Sequence, residues 1–141
     1  DVDKNGSIVE TNAEKSLLKL KFPKGFSGEF KVLSDKKDET IVGLSVYSCG
    51  ESQLEIWSVK KGIWKEITDS AVPKLGEKDV VEMLKVSPAT IEKLSEEVSI
   101  PYFFTFDSQN ALQLIVRKQA ACDIAGTVYK YKFNGKKFIK E

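Results

Sequence analysis

Three features of the sequence predict an α+β domain. Apolar and polar residues alternate at both ends, the middle switches to a helical period, and an Asn-Gly pair splits the last apolar run. The expected architecture is a mainly antiparallel sheet of about 7–8 strands in hairpin order, with two short helices in the middle of the chain covering one face. Residues 1–14 are polar and read as an N-terminal tail, leaving 15–141 as a single domain.

The first strand is expected where Leu18, Leu20 and Phe22 alternate with Lys19 and Lys21, the period of a half-buried strand. Pro23-Lys24-Gly25 breaks it. Phe30 and Val32 belong to a second strand, stopped by Ser34-Asp35-Lys36-Lys37-Asp38. Ile41 to Tyr47 is rich in β-branched residues and reads as a third. Leu54 to Val59 is the fourth. It turns at Lys60-Lys61-Gly62 into Ile63-Trp64-Lys65-Glu66-Ile67, a spacing that suits a three-residue loop with a bulge.

The period changes after Glu77. Val80, Val81 and Leu84 fall on one helical face within Glu77–Lys85. Ser87-Pro88 is an N-cap followed by a first-turn proline. Ile91, Leu94 and Val98 then recur at helical spacing. Strands resume at Ile100, with Tyr102, Phe104 and Phe106 on one face. Asp107-Ser108-Gln109-Asn110 is turn chemistry, and Leu112, Leu114 and Val116 form the next inner face. The run from Val128 to Lys140 is split by Asn134-Gly135, the strongest short-range hairpin signal. A two-residue loop there sets Phe133 opposite Lys136 and Tyr131 opposite Phe138. Tyr129, Tyr131 and Phe138 then share a buried face, with Lys130, Lys132 and Lys137 outside.

Composition narrows the chemistry. The chain has no histidine, and Arg117 is the sole arginine among 22 basic residues. Histidine is the usual proton carrier near neutral pH, and arginine the usual bidentate clamp for phosphate. Ser-His-Asp triads and papain-like dyads are therefore excluded, and zinc sites are poorly supplied. The net charge of +1 gives no global field for nucleic acid. No apolar run approaches the ~20 residues of a transmembrane helix.

Several constellations remain. Trp57 and Trp64 flank a tight turn, and Tyr102 and Phe104 share a strand face. These four rings are the candidate ligand-binding residues if they stand clear of the core. Cys49 and Cys122 are a candidate disulfide, a bridge that would stabilise the fold by roughly 4 kcal/mol. Two buried thiols are the other reading. Asp1, Asp3, Asn5 and Ser7 follow the first half of an EF-hand calcium loop. The bidentate glutamate required at the twelfth position is Asn12, so a solvated acidic tail is the competing reading. Glu51, Glu55, Glu66, Asp107 and Asp123 supply carboxylates for a glycosidase-type pair.

The closing Tyr129-Lys-Tyr131-Lys-Phe-Asn134-Gly135-Lys-Lys-Phe138 resembles the terminal hairpin of small exported bacterial domains of unknown function. The resemblance implies an extracytoplasmic setting: periplasmic, secreted or lipid-anchored. The expectation is thus a non-enzymatic binding or protein-interaction module without a cofactor, whose partner is a protein or a glycan and not nucleic acid. The alternatives are a carboxylate-based glycan hydrolase and a structural or accessory domain of a cell-envelope assembly.

Overall fold

The computed structural model describes residues 7–12, 16–48, 51–75, 78–79, 82, 102–107, 109–117 and 124–141. Among these, ten strands build two antiparallel sheets. The first contains β1 (Ser7–Asn12), β2 (Leu17–Lys21), β3 (Ser27–Asp35), β4 (Thr40–Ser48), β5 (Glu51–Lys60) and β6 (Ile63–Glu66), side by side in chain order. The second contains β7 (Tyr102–Phe106), β8 (Ala111–Arg117), β9 (Ile124–Phe133) and β10 (Phe138–Lys140), in the order β10-β9-β8-β7. Ser7–Asn12, read from sequence as tail, is therefore a paired strand.

The α+β expectation is overturned. The fold is mostly antiparallel β, in two sheets rather than one of 7–8 strands, and the one α-helix described along its whole length is a single turn, α1 (Thr68–Ala71). The cover expected from helices comes instead from the second sheet. Its strands carry a large apolar face of their own, which buries against the first sheet. Of the two expected helices, Lys78, Asp79 and Glu82 have helical backbone, and the remainder lies outside the described residues. No helix among the described residues is long and apolar enough to cross a membrane.

The strand β7 crosses the middle of the first sheet. The Phe103 ring stacks on Tyr47, with centroids 4.4 Å apart. Ser45 Oγ donates to the Phe104 carbonyl, and Asn110 Nδ2 donates to the Leu33 carbonyl at 2.8 Å. Phe106 sits over Gly43, where an added Cβ would fall 2.6 Å from the ring. The core between the sheets gathers Leu17, Leu33, Ile41 and Ile56 from one side. Phe106, Leu112, Leu114, Tyr129, Tyr131, Phe133 and Phe138 come from the other. Thr68 Oγ1 accepts the Ile56 N–H at 2.9 Å and ties α1 to the sheet, while Ala71 enters the core.

Register shows which face of the first sheet is which. Leu17, Glu29, Lys31, Gly43, Ser45, Leu54 and Ile56 share the face toward β7. Lys31 is wholly buried there and Glu29 is 3% exposed; the Tyr47 hydroxyl donates to the Glu29 carboxylate at 3.2 Å. Leu18, Leu20, Phe30, Val32, Val42, Leu44, Val46, Trp57 and Val59 share the opposite, outer face. The alternating apolar residues of the first strands thus point away from the core that the two sheets share.

Both hairpin loops differ from their sequence reading. Lys60 pairs with Ile63, leaving a two-residue loop in which Lys61 (φ 51) and Gly62 (φ 78) are both left-handed, as a type I′ turn demands. The Asn-Gly loop is longer than expected: Phe138 pairs with Phe133, not Tyr131. Asn134 Oδ1 accepts the N–H groups of both Lys136 and Lys137 at 2.9 Å, which holds four residues in the loop. A shift of two residues preserves the faces, so Tyr129, Tyr131 and Phe138 are buried and Lys130, Lys132 and Lys137 exposed, as the alternation requires.

Candidate functional site

The four aromatic residues singled out from sequence do not form one platform. Phe104 is half-buried and packs against the core between the sheets. The side chain of Tyr102 lies outside the described residues, as do Cys49, Cys122, Asp1, Asp3 and Asn5; the backbone of Ser7 opens β1. Trp57 and Trp64 do come together. Val59 pairs with Trp64 and Trp57 with Glu66, so the two indoles are diagonal neighbours on the outer face. Their centroids are 6.4 Å apart and their planes meet at 66°, an edge-to-face contact. Trp57 is half-buried, whereas Trp64 is 57% exposed on the last strand of the sheet.

Polar groups fix Trp57. Its Nε1 donates to Glu55 Oε2 at 3.1 Å, and Gln53 Nε2 donates to Glu55 Oε1 at 2.7 Å. Glu55, a candidate catalytic carboxylate in the sequence, is therefore engaged through both oxygens in orienting a ring. Asp107 is engaged likewise: its Oδ1 accepts the N–H groups of Gln109 and Ala111, each at 2.8 Å, and builds the β7–β8 turn. Glu66 stands exposed beside Trp57. The Glu51 side chain and Asp123 lie outside the described residues.

The aromatic pair is one end of a larger surface. The outer face continues from Trp64 and Trp57 through Val42, Leu44 and Val46 to Phe30, Val32, Leu18 and Leu20, crossing strands β6 to β2. None of these side chains joins the core cluster between the sheets, although Val42 is only 5% exposed and all the others except Trp64 are half-buried. Among the described elements, β7 and α1 meet this sheet from across, and both lie on its other face. Alternation in the first strands announced an apolar face, but not that it turns away from the shared core.

The other side of the β5–β6 hairpin is charged. A pocket of about 720 Å³ is lined by Glu39, Ser58, Lys60, Lys61, Lys65 and Ile63, among others. Ser58 Oγ donates to Glu39 and holds its carboxyl below the ordinary value; Lys60 Nζ, 3.6 Å away, acts in the same direction. A second pocket of about 480 Å³ lies between the segment after α1 and β10, with Asp79, Tyr131 and Lys140 on its wall. Beside it, burial first and the Glu82 carboxylate second push the Tyr129 phenol up to about 12. Lys140 Nζ rests 3.9 Å from the centre of the same ring.

Comparison with known proteins finds no matching family model, no matching curated protein and no matching solved structure, so the reading of this surface rests on its own chemistry.

Proposed function

We propose that the chain is a non-catalytic interaction module that docks a protein partner on the outer face of its first sheet, in the extracytoplasmic setting implied by its terminal hairpin. One observation carries this reading. Half-buried apolar side chains of five strands, with Val42 buried at their centre, form a row outside the core cluster between the sheets, and it ends in an exposed tryptophan. Contiguous apolar surface of this kind marks interaction sites, because leaving it in water forfeits about 25 cal/mol for each Å² that a partner would cover. The ring geometry favours a protein over a glycan. Sugar stacking uses an open, flat ring face, whereas these indoles meet edge to face, with the Trp57 N–H committed to Glu55.

The test is Leu44→Lys, a charge placed at the centre of the face. On a docking surface it alters the stability of the isolated chain by less than about 1 kcal/mol, while abolishing the binding of anilinonaphthalene sulfonate to the native protein. A loss above about 3 kcal/mol in urea denaturation would place Leu44 in a folding core and sink the reading.

A further inference from the structure

We propose that β6 is a docking edge for a second copy of this chain, joined antiparallel across a two-fold axis centred on Trp64. This goes beyond the outer-face reading, because a copy joined at the edge leaves both outer faces open to another partner.

The hairpin register identifies the spare main-chain groups. Lys60 and Ile63 close the two-residue loop as a hydrogen-bonded pair, and Ser58 with Lys65 repeats that pairing. The Ile67 N–H extends the series by donating to the Ile56 carbonyl at 2.8 Å. Alternation therefore turns the N–H and C=O of Trp64 and Glu66 away from β5. All four residues of β6 are exposed, Ile63 at 71% and Trp64 at 57%. Unpaired main-chain groups and apolar side chains coincide on this strand, the combination that templates another strand.

Charge and register select a second copy as the occupant. An antiparallel two-fold contact in one continuous sheet keeps the faces in common, so each residue must meet one of its own parity. Centring on Trp64 satisfies this. Trp64 exchanges two main-chain hydrogen bonds with Trp64 of the copy, and Ile63 lies opposite Lys65 of the copy. Re-centring on Lys65 would oppose two lysines, so charge disfavours that alternative. The indoles of both chains then form one aromatic row across the junction. A net charge of +1 leaves little repulsion between copies.

Sedimentation equilibrium of the purified chain, from about 1 µM to 1 mM, tests this. The expected result is a concentration-dependent dimer. Ile63→Lys, which sets lysine against Lys65 of the copy, should raise its Kd at least about five-fold, whereas Ile63→Glu should not weaken it. Trp64→Pro should abolish the dimer, because it removes an N–H that the monomer leaves free, with the far-ultraviolet circular dichroism unchanged. A monomer at every concentration overturns the proposal, as does a dimer indifferent to both Ile63 substitutions. Binding of anilinonaphthalene sulfonate at Leu44 is read on the same samples, so a failure of the edge contact is distinguished from a failure of the outer-face reading.

Discussion

At Gly43 the two sheets approach closely. An added Cβ would lie 2.6 Å from Phe106 Cζ and 3.2 Å from Ile56 Cδ1, so a ring in the core must move to admit a methyl group. Gly43→Ala should destabilise by about 1–3 kcal/mol in urea denaturation, despite the smaller unfolded-state entropy that alanine brings. Combining it with Phe106→Leu should recover part of that loss; additive losses would mean that the ring is not the obstacle. The sequence gives little sign of this requirement. A glycine among Ile41, Val42 and Leu44 reads as a weak point in a strand until the ring across from it is known. Lys31 and Glu29 were equally hard to read. Their charges alternate with Phe30 and Val32 as solvent-facing residues would, yet they lie between the sheets. Periodicity reports that a strand has two faces; it does not say which one a distant segment will cover.

At the scale of elements, strand positions were legible because each run alternates over its full length and ends at turn chemistry. Loop geometry was less so. Lys61 occupies a left-handed position that costs a lysine energy and suits asparagine. Lys61→Asn should therefore raise stability by about 0.5–1 kcal/mol and leave the Trp57–Trp64 contact intact; a loss on denaturation would contradict the type I′ assignment. The Asn134-Gly135 loop shows the converse case. The dipeptide favours a two-residue turn, but the Asn134 carboxamide captures two N–H groups and holds a wider loop. Side-chain capture of backbone donors competes with turn propensity, and the dipeptide alone does not reveal the outcome. The Trp57–Trp64 contact, in contrast, was legible in part, since both rings flank one turn. Their separation from Phe104 was not, because it depends on which strands share a sheet.

The whole molecule divides its apolar surface between two destinations. The second sheet turns its aromatic face into the shared core, and the first sends Leu17, Leu33, Ile41 and Ile56 there while carrying a second apolar row on its other side. Local alternation is the same in both cases, so sheet membership is invisible in it. The division makes a thermodynamic prediction. Both tryptophans lie in the first sheet, while three of the four tyrosines, Tyr102, Tyr129 and Tyr131, lie in the second and dominate the tyrosine signal over Tyr47 of β4. Because the sheets share one core, tryptophan fluorescence and tyrosine absorbance should trace coincident urea transitions. Separate midpoints would show that each sheet holds together alone. The Glu55 carboxylate, nearest the rings, is occupied in holding Trp57.

Lys31 gives this architecture an internal clock. Its amine is wholly covered where most of the chain's lysines stand in solvent. An acylating reagent in water reaches it only during moments when the layers part. Mass spectrometry of the peptide carrying Lys31 would then time the breathing of the sandwich, against the prompt labelling of Lys130 and Lys132 as an internal reference.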